Sequence, residues 1–146
     1  MAVLERELLE LDVSRMEKHR AFQERFLPLA ETAVEKIQKK LSRGDEVQIL
    51  VTNHGSLRET ERCIARRNIL EVLESGFAIE YQGRCGRAVN ALILGYVKIG
   101  KGEYRPLHVA VSIDEGANTV YIKTAYDPRS RRWQWDEHFE KRKFFK

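Results

Sequence analysis

The hydrophobic positions of the first 44 residues repeat with the period of an α-helix. Residues 2–27 contain no Gly or Pro and are rich in Leu, Glu and Arg, a composition that favours one long helix. Pro28 is expected to end or bend this helix, and a second helix is predicted from there to Gly44, a typical helix stop. The apolar stripe of the second helix consists of Leu29, Ala33, Val34, Ile37 and Leu41. The pattern therefore predicts a helical arm of two helices over residues 1–44.

The hydrophobic period changes after residue 44. Residues 46–52 alternate like a strand, and residues 64–75 again carry a helical pattern, which Ser75-Gly76 ends. Four later segments alternate like strands and are separated by glycine-containing turns: 77–81, 89–99, 107–113 and 119–126. The chain thus predicts an α+β domain over residues 45–135, in which an antiparallel meander sheet of about four strands packs against helices. Residues 46–52 are the candidate fifth strand. The alternation in Val109, Val111 and Ile113 predicts one core face, covered by the helices, and one wetter face.

His108 lies inside one of the alternating segments. Its neighbours Leu107 and Val109 point to the opposite face of the predicted sheet, so His108 shares a face with Ala110 and Ser112. Buried imidazoles at such positions are usually hydrogen-bonded to the protein itself. We therefore expect a structural role for His108.

Composition and charge narrow the class of protein. The 146 residues include 26 basic and 22 acidic side chains, a net charge of +4 that permits an anionic partner. Two cysteines, Cys63 and Cys85, make neither a disulfide framework nor a zinc spacing, so a reducing cytoplasm and the absence of a metal or other cofactor are expected. No apolar run is long enough to cross a membrane, and the acidic N-terminus does not resemble a signal peptide.

The most informative motif is His54-x3-Arg58-x3-Arg62. On a helix this spacing places one titratable and two permanently charged groups on the same face, an arrangement that a phosphate would relieve. Asn53 can cap a helix that begins near His54, and the helix N-terminus would add backbone N–H donors for the same anion. The alternative is that His54 caps or packs at the helix start while the arginines pair with nearby glutamates.

A second basic region follows the last predicted strand. It mixes guanidinium groups with flat rings, the composition that binds phosphates and stacks bases in single-stranded RNA, although Trp133 can instead close the core. The candidate nucleic-acid-binding residues are Arg66, Arg67, Arg129, Arg131, Arg132 and Trp133. Residues 136–146 are expected to form a basic, aromatic C-terminal tail or a short helix.

Two stretches of the sequence together resemble domain-of-unknown-function family 4258, a family of small bacterial and archaeal domains. The first is the His54-x3-Arg58-x3-Arg62 run with the helix end at residues 69–76. The second is Arg105-Pro106-Leu107-His108-Val109-Ala110-Val111, followed by Tyr126-Asp127-Pro128 and Trp133. The likeness covers roughly residues 47–135. The sequence departs from the family pattern at Cys63, where Gly is usual, and at Glu59, where an apolar residue is usual.

The resemblance implies both a fold and a function. The family is similar in layout to the barnase, colicin and RelE-like RNase toxins, in which a helix packs on an antiparallel sheet that carries the RNA site. It implies metal-independent RNA cleavage in which His54 is the acid or base, Arg58 and Arg62 hold the phosphate, and Tyr126 orients the phosphate or donates a proton. Tyr126 can equally be a half-buried aromatic residue with its hydroxyl in water.

The expected partners follow from this implied function. They are RNA, an antitoxin protein, and a second copy of the chain bound through the N-terminal helices. The alternative is a non-catalytic module, such as a degenerate toxin domain, that binds nucleic acid or protein and docks through the same helices.

Overall fold

The computed structural model describes residues 2–52 and 64–143, with side chains from residue 13 onward. It contains the helices α1 (Ala2–Ser42) and α2 (Arg66–Ser75) and five strands: β1 (Gln48–Val51), β2 (Phe77–Cys85), β3 (Ala88–Gly100), β4 (Glu103–Asp114) and β5 (Thr119–Tyr126). Short 3-10 turns at Glu115–Ala117 and Pro128–Gln134 precede and follow β5. The predicted α+β class is confirmed.

The five strands form one mixed sheet in the order β1-β5-β4-β3-β2. Strands β2 to β5 are antiparallel neighbours and make the predicted meander. The candidate strand at 46–52 is present as β1, and it pairs in parallel with β5 at one edge of the sheet. Residue His108 of β4 stands opposite Leu94 of β3 and Tyr126 of β5, so these three side chains share one face.

Helix α1 continues through Pro28, so the predicted division into two helices is not found. A proline inside a helix costs about 3 kcal/mol, because it removes one hydrogen bond and clashes with the preceding turn. Packing offsets this cost: Ala30, Val34 and Ile37 are each at most 3% exposed in the main core. Burying the Val and Ile side chains alone contributes about 1.5–3 kcal/mol each. This part of the helix belongs to the core rather than to a separate arm.

Both faces of the sheet are covered. Helices α1 and α2 lie on the face that carries Ile93, Val109 and Val111, as the alternation predicted. The other face was expected to be the wetter one, but residues 135–143, here called the strap, cover part of it. Trp135 of the strap is 1% exposed and forms a second apolar cluster with Ile79, Leu92, Leu94 and Ala110.

The strap forms a hairpin-like turn rather than a helix. Trp135 and Arg142 form an isolated antiparallel bridge, and the N–H of Asp136 donates to the carbonyl of Lys141 at 2.8 Å. The short helix proposed from residue 136 is therefore absent from the described residues 136–143, and this part of the predicted tail is docked on the sheet.

The outer edge of β2 is occupied by a side chain of α1. The Gln23 amide donates from Nε2 to the Tyr81 carbonyl at 2.9 Å, and its Oε1 accepts from the Tyr81 N–H at 2.7 Å. Gln38, further along α1, donates to the Gly76 carbonyl at 2.6 Å. The helix is thus joined to the backbone of β2 and to that of Gly76, the residue before it. Within the described residues, no helix is both long and apolar enough to span a membrane.

Gly95 allows α2 to approach β3 closely, and its substitution should destabilise the fold. A Cβ at this position would lie 2.8 Å from Cγ2 and 3.2 Å from Cα of Val72. We expect Gly95→Ala to lower the free energy of unfolding by about 1–3 kcal/mol, measured by urea denaturation. Gly100→Ala is the control, because its Cβ would meet only the Glu103 side chain, at 3.5 Å. Equal losses in both variants would contradict this packing.

Candidate nucleic-acid interface

Three of the predicted site residues, His54, Arg58 and Arg62, lie outside the described residues, and their roles stay predictions. The described chain before them ends at Thr52, just after β1. The Thr52 N–H donates to the Ile122 carbonyl at 3.0 Å, and β1 runs parallel to β5.

Tyr126 ends β5 and is bonded to His108. The imidazole is fully buried, with Nδ1 3.2 Å from the Tyr126 hydroxyl and Nε2 2.7 Å from the carbonyl oxygen of Phe139 in the strap. A carbonyl can only accept, so Nε2 carries the proton. In the neutral ring Nδ1 must then accept, and the Tyr126 O–H donates to it. The structural role expected for His108 is confirmed, and the Tyr126 hydroxyl is not free in water.

Burial sets the protonation state of this pair. It lowers the pKa of His108 to about 4, although the hydrogen bond to Phe139 opposes the shift. Burial also raises the pKa of Tyr126 to about 12. Both groups are therefore neutral at pH 7. Tyr126 would have to break its bond to His108 before it could donate a proton elsewhere.

The basic segment that follows β5 is a well-anchored 3-10 turn at Pro128–Gln134, here called the basic turn. The Asp127 carboxylate caps it by accepting from the Arg129 N–H at 2.9 Å, and it also binds the Arg129 guanidinium at 2.7–3.1 Å. Burial alone would raise the pKa of Asp127, but its hydrogen bonds to Arg129 outweigh this and lower it. The positive charge of Arg129 is thus neutralised by the Asp127 carboxylate that caps the turn.

Arg131, Arg132 and Trp133 of the basic turn are exposed, whereas Pro128 and Gln134 are buried. The Arg131 guanidinium carbon lies 5.9 Å from the centroid of the Tyr126 ring. The Arg132 side chain makes no hydrogen bond or ion pair with any described residue, although its backbone carbonyl accepts from the Trp135 N–H at 3.2 Å. Trp133 is 59% exposed, whereas Trp135 is the tryptophan that closes a core. The turn therefore presents two guanidinium groups and one indole ring beside Tyr126.

Arg66 and Arg67 stand apart from the basic turn. They are exposed in the first turn of α2, on the helix-covered face of the sheet, whereas Trp135, directly after the basic turn, packs on the other face. Among the described residues, the side chain of neither arginine makes a hydrogen bond or an ion pair. Arg66 and Arg67 therefore do not contact the candidate residues of the basic turn.

Sequence reasoning missed a buried ion pair beside this region. Arg142 of the strap donates from Nε and Nη2 to the two carboxylate oxygens of Glu80, each at 3.0 Å, and Glu80 is 5% exposed. His19 Nε2 lies 3.3 Å from the same carboxylate. Burial alone would raise the pKa of Glu80, but Arg142 holds it below its ordinary value.

Within residues 13–52 and 64–143, no three His, Cys, Asp or Glu side chains cluster as metal ligands.

The depressed pKa of His108 predicts that acid destabilises the fold. Between about pH 6.5 and pH 4 the unfolded chain binds a proton that the folded state excludes, so the free energy of unfolding falls as the pH falls. We expect a loss of about 3 kcal/mol over this interval, measured by urea unfolding at successive pH values. Burial also lowers the pKa of His19, which adds a contribution of the same sign.

The matched variants are His108→Gln and His138→Gln. The first removes the buried titrating group and should flatten the dependence on pH, whatever it does to stability at pH 7. The second removes an exposed imidazole, 71% accessible, and should keep the wild-type slope. If the free energy of unfolding of His108→Gln falls with pH as steeply as that of the wild type, His108 is not the group whose protonation destabilises the fold.

Comparison with known families bears on the same part of the chain. The family described as Domain of unknown function (DUF4258) has a model that matches residues 51–127. The match spans slightly more than half of the chain and includes α2, strands β2 to β5 and Asp127. Comparison with curated proteins and with solved structures gave no match. The family match and the α+β architecture agree with the resemblance seen in the sequence, and this chain is a member of the DUF4258 family.

Proposed function

We propose that this domain binds single-stranded RNA at the end of the sheet where β5 finishes, and that it cleaves the RNA without a metal ion. One observation carries the proposal. The basic turn, capped by Asp127, exposes Arg131, Arg132 and the ring of Trp133, and the Arg131 guanidinium lies over the Tyr126 ring.

The chemistry of this surface suits RNA better than a folded protein partner. Guanidinium groups bind phosphate oxygens through paired N–H donors, and an exposed indole stacks on any base. Asp127 neutralises Arg129 but leaves Arg131 and Arg132 available. A single-stranded chain can place its phosphates on these two cations while a base lies on Trp133.

The proposed cleavage uses His54 as acid or base and Arg58 and Arg62 as phosphate clamps. These roles rest on the residue spacing and on the family resemblance. Tyr126 itself would act as a support beneath Arg131, because its proton is held by His108.

A non-catalytic RNA-binding module is the second candidate function. It is favoured by the neutral, fully hydrogen-bonded state of the Tyr126–His108 pair, which supplies no ready acid or base at pH 7. The further assignments to a toxin, an antitoxin partner and a dimer formed through the N-terminal helix follow only from the likeness to RNase toxins, and they are part of the proposal on that basis.

RNA binding should depend on the basic turn. We expect Arg131→Ala and Arg132→Ala each to weaken binding of a single-stranded oligoribonucleotide and to reduce the slope of log affinity against log salt by about 0.7. Fluorescence anisotropy at several salt concentrations measures both. Arg84→Ala is the control, because it removes an equal, exposed charge at the β2–β3 turn, the opposite end of the sheet. If Arg84→Ala weakens binding equally, the interaction is not localised at the basic turn.

RNA cleavage should survive removal of divalent metal ions and should require His54. We expect purified protein to cut single-stranded RNA in EDTA, and His54→Ala to reduce the rate about 10²–10⁴-fold with circular dichroism unchanged. His138→Ala removes an exposed imidazole and should retain full activity. RNA that binds but stays intact with the wild-type protein would select the non-catalytic module.

A further inference from the structure

The hairpin of β3 and β4 extends beyond the end of β5. Tyr126, the last residue of β5, stands opposite His108, and β4 begins five residues before His108, at Glu103. One face of this extension is covered, since Val97 is 0% exposed. On the other face Pro106 is buried, but Tyr96 is 51% exposed and Tyr104 is 58% exposed. The hairpin thus exposes two tyrosine rings to solvent.

The register places both rings on one surface. Tyr96 stands opposite Pro106, and Tyr104 stands opposite Lys98. Opposed residues and residues two apart share a face, so these four side chains form one patch, here called the hairpin face. Tyr96 and Tyr104 are diagonal neighbours on it, about 7–8 Å apart at the backbone.

The charge on this patch is positive. Lys98 is exposed beside Tyr104, and Lys101 is exposed in the turn that joins the strands. Glu103 is the acidic residue of the same turn, and its carboxylate lies toward Gly100. Rings interspersed with ammonium groups are typical of surfaces that bind single-stranded nucleic acid.

The hairpin face and the region that follows β5 lie on the same side of the sheet. Pro106 lies two residues from His108, a distance of roughly 7 Å along an extended strand, and both residues are buried. His108 bonds to Tyr126, and the Tyr126 ring lies against Arg131. The basic turn and the two exposed tyrosines are thus on one side of the sheet, with these buried residues between them.

We propose that the hairpin face is the base-binding part of the RNA site, on which successive bases of a single strand stack on Tyr96 and Tyr104 while Lys98 neutralises the phosphate between them. This inference rests on the proposed RNA binding and adds the surface that receives the bases. Stacking requires only the flat face of a base, so this surface would bind single strands with little sequence preference. Paired bases in a duplex cannot reach the rings in this way.

A second copy of the chain is a less suitable occupant. Interfaces between identical chains are apolar at their centre and depleted in lysine, whereas Lys98 lies within this patch. The Tyr96 and Tyr104 rings flank the ammonium group of Lys98. This arrangement matches a nucleic-acid strand, in which bases alternate with phosphates.

The test uses a labelled 2′-O-methyl oligouridylate of about 12 nucleotides, which metal-independent cleavage through the 2′-hydroxyl cannot cut, and an abasic strand of the same length. We expect Tyr96→Leu and Tyr104→Leu each to weaken binding of the oligouridylate about 5–100-fold, and to leave binding of the abasic strand unchanged. Tyr96→Phe and Tyr104→Phe keep the rings and should bind like the wild type.

The matched control is Tyr121→Leu. Tyr121 is 37% exposed on the same face of the sheet, opposite Ser112 and toward the other end of β5, and its loss should not affect binding. If the wild type binds the oligouridylate but the Tyr96 and Tyr104 variants bind equally well, this inference is overturned and the proposed function stands. No binding by the wild type overturns both. A wild-type dimer that the Tyr→Leu variants dissociate, seen by sedimentation, would assign the face to self-association instead.

Discussion

The ion pair between Glu80 and Arg142 holds the strap on the second face of the sheet. The Glu80 carboxylate is 5% exposed, and it is stabilised in its charged form chiefly by the guanidinium that binds both of its oxygens, with a further hydrogen bond from the Gln82 amide. Removing one partner of such a pair commonly costs 3–5 kcal/mol, because the other charge is left buried without compensation. The pair also fixes the strap in one register, since Arg142 forms the bridge to Trp135.

The chemistry proposed at the end of β5 depends on this anchoring. The strap supplies the Phe139 carbonyl that selects the tautomer of His108, and that tautomer determines that the Tyr126 hydroxyl donates inward. Tyr126 then presents only its ring to Arg131. Residues far apart in the sequence therefore keep the Tyr126–His108 pair hydrogen-bonded within the protein.

Local patterns were enough to predict most of the fold. The alternation through Val109 and Val111 predicted their common face, and Ser75-Gly76 marked the end of α2. The course of α1 through Pro28 was not predictable, because the packing that offsets the proline comes from other elements. The partner of Glu80 lies 62 residues away, a separation that no local pattern reveals.

The sequence predicted which residue types make up the candidate site, but not how they are arranged. The two tryptophans of the C-terminal region are two residues apart, and only the docked strap decides that Trp133 faces solvent while Trp135 is buried. The contacts of Gln23 with both backbone groups of Tyr81 show the same dependence on distant elements. The outermost strand of a sheet is a template on which other chains can aggregate. By imitating a neighbouring strand at this position, one glutamine blocks intermolecular strand growth there without adding a charge.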